Sequence, residues 1–335
     1  MIKYITSIVV VVTLSIGLYG CWPVRVGLKN IGDSVFGEPE KVKVKIKDPI
    51  KENVRLSALW VGHSTVLLQI EDKVILVDPV FEDVISGVVL RKVEAGLEMK
   101  NIPKLDLIAV SHAHMDHMSL GSLKDLDDMF PEAKLVVPVG AEEYLPSYNM
   151  EMIRLKTGNS EKLGYIGETR EVNGIKITAV FALHQGGRYG LDSYTWNVPG
   201  CTGYIIEYKG ITVFYGGDTT YDEYAYRVLG SKFKIDLALI PVGPCRECET
   251  DGSYYHLASL GALKVFDQLK ADYMIPVHYG AMEYFDDPDI PVYVLRELAE
   301  RYGKNSATGL AISKPYSEGL KILNEGEQHI FYYKE

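Results

Sequence analysis

Ser111-His112-Ala113-His114-Met115-Asp116-His117 decides how this chain is read, and it follows directly on an apolar run at residues 105–110. Three imidazoles and one carboxylate fall within six positions. Packing such groups together costs free energy, since each buried ring needs a polar partner and Asp116 carries a charge. A divalent cation removes both costs, because neutral imidazole and carboxylate are its natural ligands. A His-rich polar loop that binds nothing is the alternative, and the density of donors weighs against it.

Three more residues of ligand type close apolar runs further along. His184 follows residues 175–183; Asp218 follows residues 211–215 and the pair Gly216-Gly217; His278 follows residues 273–277, with Gly280 just beyond. Glycine lets the backbone turn tightly beside an ion. Each of these residues alone could be an ordinary packed or surface group. Together, four strand ends deliver ligands, and strand ends are where a rigid scaffold gathers residues distant in sequence. Five His and two Asp exceed what one four-coordinate ion uses, so the pattern predicts two ions. His112, His114 and His184 would hold one, Asp116, His117 and His278 the other, with Asp218 as a bridge. A water between them would lose its proton near neutral pH and become a hydroxide nucleophile.

The surrounding pattern is one of short apolar runs separated by turn residues. Runs at 56–61, 66–70, 74–77, 105–110, 135–139, 175–183, 203–208, 211–215, 237–242 and 273–277 predict strands. Helical periodicity marks 120–129, 257–269 and 292–302. Strands with helices inserted between them point to a layered α/β domain rather than a bundle. The 335 residues suffice for one large domain, and 47% hydrophobic with 24% charged residues excludes a disordered or collagen-like chain. A formal net charge of -10 works against nucleic acid as a partner.

The N-terminus reads differently. Residues 4–24 carry no charge over 21 positions, long enough to span a bilayer as a helix. Lys3 before the apolar stretch also suits a secretory signal. Leu18-Tyr19-Gly20-Cys21 resembles a bacterial lipoprotein signal, in which the Cys is lipidated after cleavage. Residues 1–24 are therefore expected to be an anchor, either lipidated or a single helix, and the protein membrane-associated; flanking charges do not decide the face. Residues 25–53 read as a linker and 54–335 as the hydrolase domain. Within the linker, Lys41, Lys43, Lys45 and Lys47 alternate with apolar residues, predicting a strand with one basic face. Such lysines protect a sheet edge or meet anionic headgroups. Cys245-x-x-Cys248 is open between a disulfide, a redox pair and unrelated thiols, and no second pair completes a structural zinc site.

The set His112-x-His114-x-Asp116-His117, His184, Asp218 and His278 resembles the metallo-β-lactamase superfamily, over residues 56–284. Trp60-Val61-Gly62-His63-Ser64-Thr65, Asp78-Pro79, Gly217-Asp218-Thr219 and His278-Tyr279-Gly280 resemble the branch of the N-acyl-phosphatidylethanolamine-hydrolysing phospholipase D. The ascorbate-6-phosphate lactonases are a sister group. The resemblance implies an αββα sandwich with the metals at one edge, and binuclear zinc as cofactor; Mn²⁺ or Fe²⁺ also suits such ligands. It implies that Asp78 orients a ligand or the hydroxide, and that His256 meets the substrate's phosphate or leaving group. Met115 stands where the phospholipase has Tyr, and the stretch after His256 lacks acidic residues.

Three further features are read from the residues. Arg188 could hold an anionic substrate group through its planar fork, or equally be an ordinary surface arginine. His63 could lie below the metals or cap a turn, and the turn role is the favoured one. Tyr189, Tyr194 and Trp196 could form a lid or acyl-binding wall, or simply pack. The expected reaction is phosphodiester hydrolysis of a small-molecule or lipid substrate, phospholipid-type by preference, with catalytic roles for Asp78, Asp116 and His256. Lactone or amide hydrolysis is the rival, and a non-catalytic metal-binding scaffold is the rival of another class.

Overall fold

The computed structural model describes residues 32–43, 45–158, 164–189, 192, 200–282 and 287–334. The anchor expected at residues 1–24, together with Tyr194 and Trp196, lies outside them. Among the described residues no helix is long and apolar enough to cross a membrane.

Strands follow in the order β1 (Val54–Gly62), β2 (Thr65–Ile70), β3 (Lys73–Val77), β4 (Val84–Ile85), β5 (Val89–Leu90), β6 (Leu107–Ala109), β7 (Lys134–Pro138) and β8 (Glu151–Leu155). They continue with β9 (Ile166–Val172), β10 (Ile175–Val180), β11 (Gly203–Tyr208), β12 (Ile211–Tyr215), β13 (Leu237–Pro241), β14 (Tyr273–Val277) and β15 (Gln328–Tyr333). One sheet has the order β15-β1-β2-β3-β6-β7-β8, the other β14-β13-β12-β11-β10-β9. In both, antiparallel pairs give way to parallel ones, at β3–β6 and at β12–β13.

Side chains alternate across the first sheet. Leu56, Ala58 and Trp60 of β1 join the core that also holds Ile177, Tyr204 and Tyr215 of the second sheet. Leu59 and Val61 face the other way, with Leu123 and Leu126 of helix α1 (Leu120–Met129). Period-two alternation with both faces buried requires a layer on each side. Three helices cover the far side of the second sheet: α2 (Glu223–Lys232), α3 (Ser259–Leu269) and α4 (Ile290–Tyr302). Their apolar residues Leu229, Leu263 and Leu295 belong to the same core as Leu237 and Ile240. The result is the expected α/β, αββα sandwich.

Some expectations need correction. The run at 105–110 forms a strand only over Leu107–Ala109, and the run at 175–183 leaves the sheet at Val180. His184 therefore sits beyond an irregular segment rather than at a strand end. The lysine alternation forms no ladder among the described residues. Lys41 and Lys45 instead lie 3.2 and 3.0 Å from the Glu94 carboxylate, so charge pairing with a neighbouring loop replaces the predicted pleat. Cys245 and Cys248 form a disulfide, and Cys201 is a buried free thiol.

Candidate metal centre

The ends of β1, β3 and β6 meet the segments after β10, β12 and β14 at one edge of the sandwich, and nine polar side chains converge there. They are His63, Asp78, His112, His114, Asp116, His117, His184, Asp218 and His278. His112, His114 and His184 form one group, with His114 Nδ1 3.1 Å from His184 Nε2. Asp116, His117 and His278 form another, joined by His63. Asp218 lies between them. Its Oδ2 is 3.0 Å from His278 Nε2, 3.4 Å from His117 Nε2 and 3.8 Å from His184 Nε2. His256 Nε2 lies 3.4 Å from the same oxygen.

Hydrogen bonds behind the rings decide which nitrogen faces inward. His278 Nδ1 donates to the Gly243 carbonyl at 2.7 Å, and His184 Nδ1 to the Tyr255 carbonyl at 2.9 Å. A carbonyl only accepts, so both rings carry Nδ1–H. The Ser111 hydroxyl gives its proton to Asp78 Oδ2 at 2.5 Å, and so accepts from His112 Nδ1 at 3.0 Å. Asp78 Oδ2 also accepts from His117 Nδ1 at 2.5 Å and from the Tyr215 hydroxyl. Four rings are thus turned with Nε2 inward, the tautomer that ligating histidines adopt when an acceptor holds the opposite nitrogen.

These inward atoms test whether the residues fit a cation. His112 Nε2 and Asp218 Oδ1 are buried with no hydrogen-bond partner, while His117 Nε2 and His278 Nε2 are turned towards Asp218 Oδ2. Orphaned buried acceptors are rare and costly, and a divalent ion is the partner that imidazole nitrogen and carboxylate oxygen can both ligate. The residues fit.

Electrostatics agree. Burial drives the His112, His114 and His184 imidazoles below their ordinary range, His184 to about 3. Burial also opposes charge on Asp116 and Asp218, yet the adjoining imidazoles, His117 first, hold both carboxyls well below theirs. On His117 and His278 burial is outweighed by those carboxylates; His117 rises, and His278 reaches about 9. Metal-free, the carboxylates recruit protons onto the nitrogens that a cation would take.

Backbone conformation serves the same end. His63, Asp78 and His278 have φ of +53°, +38° and +64°, the left-handed region that few residues other than glycine occupy. Such conformations persist where the surroundings enforce them, often at functional sites. Gly217 also has positive φ, at +56°, and a Cβ there would come within 2.5 Å of the Ser111 Cβ. Only glycine brings Asp218 this close to the His112 loop.

Other expected residues fall into place differently. His256 has a side chain 27% exposed and lines a cavity of about 570 Å³ with Pro244, Cys245, Arg246, Glu247 and Ser253. Arg188, open from sequence between a substrate grip and an ordinary surface residue, donates through Nη1 to the Ala113 and Met118 carbonyls, both at 2.8 Å. It braces the loop that bears the histidines. His63, expected to cap a turn, is 1% exposed, with Nε2 2.9 Å from Asp116 Oδ2. Ser111 and Tyr215 were not singled out from sequence. Ser111 stands beside His112 and Tyr215 three residues before Asp218, but nothing in the pattern says that both reach Asp78.

Comparison with known proteins accords with this geometry. A family model described as "Beta-lactamase superfamily domain" matches residues 73–279. The chain is 26% identical over 298 residues to N-acyl-phosphatidylethanolamine-hydrolyzing phospholipase D 1 of Caenorhabditis elegans, covering 80% of this chain and 81% of that protein. It is 30% identical over 226 residues to a metal-dependent hydrolase of Sulfolobus acidocaldarius, covering 67% of this chain and 84% of the relative. In structure it is similar to a metallo hydrolase from the archaeon Ignicoccus hospitalis, with TM-score 0.55 and 19% identity over 83% of this chain and 99% of the other. With this fold, these donors and these relatives, the chain belongs to the metallo-β-lactamase superfamily as a metal-dependent hydrolase.

Proposed function

We propose that this hydrolase is a membrane-tethered phosphodiesterase that uses two divalent ions, zinc by preference, on a phospholipid-type substrate of the N-acyl phosphatidylethanolamine kind. The observation that carries the reading is the Asp218 carboxylate, one oxygen of which faces the imidazoles of His117, His184, His256 and His278 at 3.0 to 3.8 Å. Two groups of nitrogen donors flank it, His112, His114 and His184 on one side, His117 and His278 with Asp116 on the other. The likeness to the nematode phospholipase supports the substrate class. The apolar stretch at residues 4–24 supports the tether, since it would place enzyme and lipid at one surface. The Cys245–Cys248 disulfide supports export, because such bonds persist in oxidising compartments.

When bound, the ions lower the pKa of a water molecule towards neutrality and offset charge that develops on the phosphoryl oxygens. The chain's own residues do the rest. Asp78, through His117, and the Gly243 and Tyr255 carbonyls, through His278 and His184, keep Nε2 directed inward. Asp116, half-buried beside His117 and His278, supplies a charged carboxylate at the centre. In the hydrolysis a water oxygen would bond to phosphorus as the P–O bond to the departing alcohol breaks; His256 would give the leaving oxygen its proton, and the proton lost by the water would restore His256. His256 can reach that oxygen because its ring lies on the solvent side of Asp218, facing the cavity.

The test is elemental analysis of the full chain, followed by bis(p-nitrophenyl)phosphate, N-acyl phosphatidylethanolamine vesicles, homoserine lactones and a chromogenic β-lactam. Phosphodiester turnover that chelation abolishes and Zn²⁺ restores is the expected result. Turnover of lactone or lactam with none of either phosphodiester would move the assignment to hydrolysis at carbon.

A further inference from the structure

We infer that His63 is a positioning residue of the metal centre, holding Asp116 by its ring and His278 by its backbone so that both address the same ion; this rests on the two-ion reading above. His63 occupies the tight turn between β1 and β2 at φ +53° and is 1% exposed. Its Nε2 lies 2.9 Å from Asp116 Oδ2. Its carbonyl accepts from the His278 amide at 3.0 Å and from Trp60 Nε1 at 2.9 Å. Its ring lies against the His278 ring, centroids 4.3 Å apart. One residue thus touches two members of the Asp116, His117 and His278 group and none of the His112, His114 and His184 group by hydrogen bond.

A turn needs none of this. Glycine would supply the positive φ at no steric cost, and an apolar side chain would fill the space without burying a polar ring. His63 Nδ1 is buried with no hydrogen-bond partner, a cost that a merely structural residue would not carry. The geometry offers a return for it. Asp116 stands in the turn after β6 with Oδ2 3.6 Å from His117 Nε2 and 3.5 Å from His278 Nε2, and His63 Nε2 approaches the same oxygen more closely, at 2.9 Å, and so sets its direction. His278 itself has φ +64°, and its amide is fastened to the His63 carbonyl. Groups that orient ligands in this way contribute about 10–100-fold to metal affinity.

The experiment is a Zn²⁺ titration of the metal-stripped full chain against a chromophoric chelator, comparing native protein with His63→Gly and His63→Gln. Glycine keeps the backbone and deletes the ring; glutamine retains a donor able to approach Asp116. The native chain is expected to bind two ions. In His63→Gly one site keeps its affinity and the other weakens by about 10–100-fold, with His63→Gln recovering part of the loss. Should His63→Gly not fold, His63→Asn is read in its place, since Asn tolerates the same backbone and is too short to reach the carboxylate. Two ions bound with native affinity in the ring-deleted variant would overturn the inference, as would equal weakening of both sites. A native chain that takes up no Zn²⁺ would overturn the two-ion reading and this inference together.

Discussion

Asp78, wholly buried, accepts from the Ser111 amide at 2.6 Å, the Ser111 hydroxyl, the Tyr215 hydroxyl and the His117 imidazole. Four donors thus satisfy a carboxylate that has no access to water, so none of its lone pairs is buried at a loss. Removing a single donor leaves the others in place, so Tyr215→Phe should fold. It should lose about 1.5–3 kcal/mol, the worth of a hydrogen bond to a charged group, read by chemical denaturation of the metal-free protein; an unchanged midpoint would mean the hydroxyl is not bonded in solution. The imidazoles allow a second prediction for that metal-free form. Burial takes His63 to about 4 and His184 to about 3, both below the ordinary 6.5, so the unfolded chain binds their protons first and stability falls as pH drops from 6.5 towards 3. His278 is the reverse: with a folded value of about 9, its contribution is complete below 6.5 and fades as pH rises through 9. Stability of the metal-free protein should therefore peak near pH 6.5, as thermal melts across pH 4–10 would show; a steady rise to pH 9 would contradict it. Residue identity was the most legible level of this site. The histidines and Asp116 of the 111–117 stretch announce themselves by density, whereas Ser111 and Tyr215 reach Asp78, and His63 reaches Asp116, across long stretches of chain. Arg188 shows the converse, a residue whose charge suggests a ligand but whose hydrogen bonds go to loop carbonyls.

Elements explain which parts of the fold could be read in advance. Strands β2, β11, β12 and β14 are buried apolar runs, and their sequence boundaries nearly coincide with the ladder. Strands β8, β9 and β15 were not foreseen. Each lies at a sheet edge, is incompletely buried, and carries polar residues, such as Glu168, Thr169 and Arg170 in β9, that break the apolar pattern. Helix α2 was missed as well, although the Asp222 side chain accepts from the Ala225 amide at 2.9 Å and caps it; its tyrosines dilute the helical periodicity. Glycine at the end of β12 was legible, and its role can now be measured. Gly210, in the β11–β12 turn, has φ +77° and open space around its Cα, so Gly210→Ala should cost only the backbone, about 1–2 kcal/mol. Gly217→Ala bears the same cost and also presses on Ser111, adding about 1–3 kcal/mol of overpacking. The paired denaturation and Zn²⁺ titration should show both variants destabilised and only Gly217→Ala weakened in metal binding. Equal metal affinity in the two would remove the argument that close approach of β12 to the His112 loop builds the centre.

Across the whole molecule the centre draws on both sheets. His63, Asp78 and the 112–117 residues come from the β1, β3 and β6 side, while His184, Asp218 and His278 come after β10, β12 and β14. The two groups assigned to the ions each draw on both sheets: His112 and His114 meet His184, and Asp116 and His117 meet His278. Cations held there would tie the two sheets at their open edge, a link the apolar core between them does not supply. Metal should then stabilise the molecule by linkage, by about 2.7 kcal/mol per site when free ion is 100 times its dissociation constant. The melting temperature should rise with Zn²⁺ concentration and fall on chelation. Amide exchange offers the sharper reading. If ions join the sheets, Zn²⁺ should slow exchange in residues 111–118 and in 216–220 and 278–281 together, since neither side can open without releasing ligands. Protection that grows on one sheet's loops while the other's exchange unchanged would mean that the metal sits on one half of the sandwich, and the shared role assigned to Asp218 would have to be given up.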